Sequence, residues 1–514
     1  MMTAPYALSY HAPRFRRMLN LFPLALACAL LPVAAHAQVT FNGTKPNVNN
    51  VNMGSQALGA SSAAVSLSFA IAANTKVGSI GVLTTGIASR DFSEASGSTC
   101  TATTYTADTN CTVNVTFKPA AAGLRMGAVV FFSGASKTSA VLSSVPVFGI
   151  GSGPQLVFGT NNTQSSVGSR LLSPEAVVLD AVGDVYIADI GLQEVFKVTP
   201  AGKQTTVGTG LEVPGGVAVD GAGNVYIADS QAAVVWKVTP GGVQTTVGKN
   251  FQYPFSVAVD GEDNVYVSDP FIPTVFKVTP SGKMTTVGTG YNTPNGVAVD
   301  SAGNVYVADP YNQAVFKVTP TGKQTTLGTG LIDPTAVAVD AADDVYITDA
   351  GTDDLYEVTP SGVQTTVAQN LDIPSGIALD GPGNLYVVNT FNEHVLKIGR
   401  TAAPTLSFES TRINTTSKDS PKIVEIENIG NEALKFSALS YPVDFPEYSL
   451  ADNCTASAAL AAADSCTLAV DFSPVTSPGS NSSAVLTEAV KFTSDNLNAA
   501  HATEEVTVTG TETK

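Results

Sequence analysis

Histidine is almost missing from this chain. Four occur in 514 residues, at positions 11, 36, 394 and 501. A Ser-His-Asp triad needs an imidazole within hydrogen-bond reach of its nucleophile, and zinc sites usually draw on several His or Cys ligands. Neither can be assembled here. Charge is also thin: Asp, Glu, Lys and Arg make up 13% of the chain, about half the usual share of a soluble domain. That argues against a helical, Lys/Glu-rich protein and against a charge-driven disordered one. The charge present is acidic, 43 Asp+Glu against 26 Lys+Arg, for a net −17. Nothing in it offers an electrostatic footprint for nucleic acid or anionic lipid. After residue 37 no segment is long and apolar enough to span a membrane.

The N-terminus reads as an address. Arg14, Arg16 and Arg17 precede a mostly apolar stretch from Leu19 to Ala35, which ends in Ala35-His36-Ala37 before Gln38. Basic region, apolar run and A-x-A site in that order predict a signal peptide over 1–37. Pro23 and Pro32 interrupt the stretch, which disfavours a membrane anchor. Ala25, three residues before Cys28, disfavours a lipoprotein. Cleavage would remove three Arg and no acids, leaving a net charge of −20. The expected location is secreted, periplasmic or cell surface.

Four cysteines then remain: Cys100, Cys111, Cys454 and Cys466. An even count in an exported chain favours disulfides. Of the three connectivities the local one, Cys100–Cys111 with Cys454–Cys466, is favoured, because each pair lies inside one copy of a shared motif. The copies are Cys111-Thr-Val-Asn-Val-Thr-Phe117-Lys-Pro119 and Cys466-Thr-Leu-Ala-Val-Asp-Phe472-Ser-Pro474. No CxxC is present, and no His or Lys stands close enough to activate a thiol.

Between these segments the sequence repeats. Pro174, Pro214, Pro254, Pro294, Pro334 and Pro374 are 40 residues apart, and Asp180 to Asp380 and Tyr186 to Tyr386 keep the same step. Each unit holds four short runs rich in Val, Ile, Thr and Tyr, separated by tight Gly- and Pro-containing turns, which predicts strands. A four-stranded unit of about 40 residues is a propeller blade, and six units predict six blades. The sixth unit lacks a fourth run, yet Ser165-Ser166-Val167-Gly168 lies one period before Thr205-Thr206-Val207-Gly208. The strand around Thr163–Val167 is therefore expected to complete the sixth blade and close the circle.

The units resemble NHL repeats over roughly residues 160–400. The flanks resemble bacterial Ig-like domains of the abnormal-spindle/hydin, choice-of-anchor type. The C-terminal flank carries Glu427-Asn428-Ile429-Gly430-Asn431, similar to that family's turn between two strands; the N-terminal flank lacks it. The expected fold is all-β: a signal peptide (1–37), an Ig-like β-sandwich (38–152), a six-bladed propeller (155–400) and a second Ig-like β-sandwich (403–514). The resemblance implies a binding scaffold, since NHL propellers mostly bind protein, peptide or other ligands. Two related propeller enzyme families, peptidyl-amidating and streptogramin lyases, rely on paired histidines that this chain does not supply.

Periodic residues read mainly as structure. Asp189, Asp229, Asp269, Asp309, Asp349 and Asn389 end the second runs. A circle of carboxylates could hold Ca²⁺, but recurrence in every unit favours bonding to local backbone N–H groups. The Tyr186 and Phe196/Trp236 series are expected between blades, and His394 on a variable surface loop. Departures from the repeat are more informative. Strand direction places Phe251, Tyr253, Phe255, Phe271, Tyr291, Asn295, Tyr311 and Phe391 on one loop face, with Asn292, Asn312, Gln313 and Asn392. The acids Glu175, Glu194, Asp353, Asp354 and Glu393 share that face. Aromatics beside amides suit a ligand-binding surface, while the bland alternative is loop residues packing on one another. The expectation is a binding protein for a protein, peptide or glycan, with the Ig-like domains as spacers, no cofactor, no metal and no nucleic-acid partner. The alternative is a carboxylate- or metal-dependent propeller enzyme of lactonase or lyase type.

Overall fold

The computed structural model describes residues 38–42, 50–159, 163–456, 459–475, 482–499 and 502–514. The expected signal peptide and His501 lie outside the described residues. The described chain is all-β, apart from a short 3-10 turn at Asn496–Asn498. Among the described residues no helix is long and apolar enough to cross a membrane.

The repeat folds as a β-propeller of four-stranded antiparallel sheets. In the first sheet the order from the inside outward is Pro174–Leu179, Val185–Asp189, Glu194–Val198 and Gln204–Val207. The same order recurs at each 40-residue step. The second strands are buried along their whole length. The outermost strands expose their two central Thr and half-bury the residues at either end. The sixth sheet, Pro374–Leu379, Leu385–Asn389 and His394–Gly399, takes its outer strand from Thr163–Val167, with Thr163 opposite Gly399 and Val167 opposite Val395.

Packing joins these sheets into a circle. Tyr186 lies in one apolar cluster with Val217 and Ile227 of the second sheet. Tyr226 packs with Val257 and Val267 of the third, and Tyr266 with Val297 and Val307 of the fourth. Tyr306 and Val337, then Tyr346 and Ile377, continue the series. Tyr386 and Val388 close it against Val177 and Ile187 of the first sheet. Each tyrosine is held at both ends. Its ring fills the seam, a burial worth roughly 1.5–3 kcal/mol for a large side chain. Its hydroxyl donates to the Asp of its own turn, at 3.0 Å from Tyr226 to Asp220 Oδ2. In five sheets a Lys Nζ stands 5.0–5.3 Å over the ring.

The N-terminal flank is a pair of packed sheets. One has the order Val39–Phe41, Val65–Ile71, Thr109–Phe117, Phe92–Glu94. The other has the order Val51–Ala57, Val141–Ser152, Gly123–Phe132, Ser79–Thr84, Ile87–Ala88. Between them lies a core that includes Phe69, Phe117 and Phe131. This flank sits on the turns that link first and second strands of the propeller. Gly86 N–H donates to Gly221 C=O at 3.1 Å, Ala181 N–H to Thr85 Oγ1 at 2.6 Å, and Ala222 joins a cluster with Leu83, Val130 and Phe132. The approach demands glycine at two turns. A Cβ on Gly221 would lie 2.2 Å from Gly127 O, and one on Gly261 2.6 Å from the Phe148 ring.

The C-terminal flank pairs Ser483–Ser494 with Ala502–Thr513 along twelve residues. A second sheet holds Lys422–Asn428 and Ser465–Val470. Its third strand is Leu156–Phe158. Those three residues, expected within the propeller, belong to this flank instead, because Leu156 and Phe158 fill its core beside Val424 and Ile426. The Asn428–Asn431 turn clamps the junction. Asn428 Nδ2 donates to Glu432 and Leu460 carbonyls at 2.7 and 3.0 Å, and Asn431 Nδ2 donates to Gly151 C=O at 2.9 Å. Both expected disulfides are present, Cys100–Cys111 and Cys454–Cys466, with Cα separations of 4.9 and 5.2 Å.

Candidate functional site

Both flanks dock at the same end of the propeller. The opposite end carries the loops before each repeat proline and the loops between second and third strands. Those loops are tied down by the periodic aspartates. Asp189 is fully buried. It accepts the Leu172 and Ser173 N–H groups at 2.8 and 3.1 Å, and Leu192 N–H from its own turn at 3.0 Å. Asp229, Asp269, Asp309 and Asp349 repeat the arrangement, with first contacts of 2.7–3.0 Å, and Asn389 accepts Asp372 N–H at 2.8 Å. The five carboxylates and the one amide are engaged in backbone bonds in their own sheets, and so they staple the loops.

The aromatic residues expected on this face divide into two groups. Phe251 and Tyr291 are not on the surface: they are 6% and 8% exposed. Each ring meets the third-strand aromatic of its own sheet edge-on, Phe251 with Phe276 and Tyr291 with Phe316, at 5.6 Å. The equivalent residues are Leu171, Leu211, Leu331 and Leu371, all buried. This position is apolar in every unit because it plugs the seam between sheets. Phe271, Tyr311 and Phe391 do stand out in solvent, at 71–72% exposure. Tyr253 links Phe271, at 5.3 Å between ring centroids, to Phe255, at 6.4 Å. That trio runs from exposed Phe271 at the rim, through half-buried Tyr253, to half-buried Phe255 at the axis. Tyr311 and Phe391 stand on other sheets, outside the trio's ring contacts.

At the axis the innermost strands leave a channel of about 70 Å³. Glu175, Gly215, Phe255, Thr335 and Ser375 line it; Asn295, the equivalent residue of the fourth sheet, contributes backbone bonds to Ala308 and Ser268. Glu175 is the one charged residue among those lining it. Its carboxylate takes part in no hydrogen bond or ion pair with another described residue, and burial pushes its pKa from 4.5 to about 7. The sequence signal was available: the residue after each repeat proline differs in all six units, whereas its neighbours recur.

Around this mouth the loops are acidic. Glu194, Glu212, Asp333, Asp353, Asp354, Asp372 and Glu393 stand against only Arg170 and Lys249. A cleft of about 500 Å³ lies between Asp353, Asp354, Asp372 and Asn392. Burial and the nearby Asp349 hold the Asp333 carboxyl above its ordinary value. The amides serve mostly as loop braces: Asn312 Nδ2 donates to Gly290 C=O at 3.0 Å and Gln313 Nε2 to Ile332 C=O at 3.4 Å. His394 Nδ1 lies 2.9 Å from Asn392 O. The channel thus offers one carboxylate, where a Ca²⁺ site draws on six to eight oxygens.

A larger cavity, about 1180 Å³, opens at the flanked end where both flanks meet the first and sixth sheets. Arg125, Gln155, Asp180 and Lys397 are among its lining residues. Nothing in the repeat pattern pointed to it.

Residues 291–318 match the NHL repeat family. No curated protein matches the chain. Among solved structures, a gluconolactonase from Xanthomonas campestris shares 13% identity over 48% of this chain and 94% of its own, with a TM-score of 0.42. An inactive virginiamycin B lyase from Staphylococcus aureus, solved with quinupristin, shares 12% over 62% and 99%, with a TM-score of 0.39. A chain of a nidogen/laminin complex shares 19% over 42% and 93%, with a TM-score of 0.37. At these scores the likenesses carry no functional inference for this chain.

Proposed function

We propose that this is an exported, non-catalytic binding protein, a six-bladed propeller held between two Ig-like sandwiches that serve as spacers. Two disulfides suit an oxidising compartment. The ligand is a basic segment of a protein or peptide, received by the face that the flanks leave open. The observation that carries this reading is the combination at the channel mouth: an unpaired carboxylate, Glu175, beside an aromatic trio that reaches from the axis out to exposed Phe271, within acidic loops. A Lys or Arg side chain would meet both the charge it needs and aromatic faces that attract cations, worth roughly 0.5–2 kcal/mol. Its apolar stem would cover the exposed rings.

Peptide and glycan arrays probed with the whole protein test the reading. Peptides with Lys or Arg next to apolar residues should bind, more weakly at high salt, and a Phe271→Ala/Tyr311→Ala variant should lose tenfold or more in affinity. Binding confined to glycans, or binding indifferent to salt and to both rings, would overturn it. One observation favours the enzyme reading: a carboxyl with a pKa near 7 suits a general base. Loss of lactone or ester turnover in Glu175→Gln would establish that alternative.

A further inference from the structure

The fifth sheet departs from the charge pattern of the other five. In those sheets the turn Asp is followed four residues later by Asn or Asp, six later by Tyr and seventeen later by Lys. The lysine neutralises the turn: Lys197 lies 2.7 Å from Asp184, and Lys237 lies 3.3 Å from Asp220. In the fifth sheet the same positions hold Asp340, Asp344, Tyr346 and Glu357. The lysine has become a glutamate, and the Asn found in four other sheets has become an aspartate.

These changes collect acid in a dry place. Asp344 is 2% exposed and Glu357 7%. Carboxylate oxygens of Asp340, Asp344 and Glu357 all lie within 4.8 Å of one another. Like charges that close repel strongly unless something is placed between them. The local donors do not suffice. Asp340 Oδ1 accepts two backbone N–H groups. The single Tyr346 hydroxyl proton is shared between Asp340 Oδ2 at 3.1 Å and Glu357 Oε1 at 2.8 Å. Asp344 Oδ1 is buried and has no hydrogen-bond partner.

One cation does enter. Arg400, fully buried and outside the repeat frame, lies over the Tyr346 ring at 5.4 Å where the other sheets use lysine, and Nη1 donates to the Tyr346 hydroxyl at 2.8 Å. Its Nη2 is turned away, onto Glu427 of the C-terminal flank. A single guanidinium is therefore divided between the cluster and a fourth carboxylate.

We propose that Asp340, Asp344 and Glu357 hold a divalent cation, Ca²⁺, at the seam between the fifth sheet and the C-terminal flank. The donors are all oxygen, as a hard cation requires. They are supplied by a turn and a strand, and an irregular oxygen set suits the flexible coordination of Ca²⁺ better than the strict geometry of Mg²⁺. The free Asp344 Oδ1 supplies a ligand that costs the fold no existing bond. The ion would brace the junction that Arg400 and Glu427 already span.

The test uses the whole protein, stripped of metal by chelator and titrated with CaCl₂ by calorimetry. Terbium luminescence excited through tyrosine serves as the second readout, since Tyr346 touches two of the three carboxylates. One ion per chain is expected, with terbium displaced by Ca²⁺ at concentrations where Mg²⁺ does not compete. Asp344→Asn and Glu357→Gln should each weaken binding tenfold or more, while Asp184→Asn, at the matching position of the first sheet, should leave it unchanged. No heat and no terbium signal at millimolar ion would overturn the proposal; that outcome would mean the carboxyls share protons instead. Equal binding by wild type and a folded Asp344→Asn variant would overturn it too.

Discussion

Replacing Glu175 by Gln isolates the cost of keeping a carboxylate in the propeller channel. Burial raises its pKa from 4.5 to about 7, so the fold disfavours the charged form. Below pH 4.5 the group is protonated in both folded and unfolded chains and no penalty arises. The penalty grows as pH rises from 4.5 to 7 and is complete above 7. At roughly 1.4 kcal/mol per tenfold change its ceiling is about 3 kcal/mol. Glu175 is only half-buried by its exposed area, and screening by solvent lowers the cost to about 1–2 kcal/mol. Glu175→Gln should therefore melt higher than wild type at pH 8, by roughly 2–4 °C per kcal/mol for a unit of this size, and at the same temperature at pH 4.5. Scanning calorimetry at the two pH values decides it. A stability difference independent of pH, or a variant weaker at pH 8, would show that Glu175 is solvated or paired and would remove it from the binding site.

The other predictions concern the aromatic residues. Tyr291 carries a buried hydroxyl with no hydrogen-bond partner, at a position where the third sheet has Phe251. Tyr291→Phe should raise stability by about 1 kcal/mol, the lower end of the cost of such an orphan group, as read by denaturant unfolding. Phe251→Ala should cost about 3–5 kcal/mol as a core truncation, whereas Tyr311→Ala should stay within about 0.5 kcal/mol of wild type. Comparable losses in the two alanine variants would mean that Tyr311 is packed.

The sheets, their order and the strand that completes the sixth were legible because a 40-residue period fixes which residue occupies each equivalent place. The disulfides were legible from the motif that both flanks share. Phe251 and Tyr291 are buried where a loop-face position is expected. Aromatics at this position stand out against the repeat, but Leu171, Leu211, Leu331 and Leu371 at the same place mark it as apolar in every unit. The docking of the N-terminal flank was not legible, since it joins scattered residues, Thr85, Leu83 and Phe148 against the turns at Ala181, Ala222 and Gly261, that no period or motif relates. Arg400 is not legible from the repeat, because it lies outside the period and answers an irregularity, Glu357, inside it. The role of Glu175 at the axis needed the third dimension, although the variability of its position was visible in the chain.

Pairing Thr163–Val167 with Val395–Gly399 also sets a timetable for folding. Every other strand pair in the propeller joins neighbours along the chain and can form as a hairpin. This pair joins segments about 230 residues apart, a closure whose entropic cost is on the order of 5 kcal/mol by loop statistics. Contacts so distant form late. During synthesis or export the first strand emerges early and must wait, unpaired, for the last sheet to appear. Its composition fits that wait: Thr163-Gln164-Ser165-Ser166-Val167 has four polar residues in five, a poor template for association with another chain. The weakest-looking strand of the propeller is the one that can stay soluble longest.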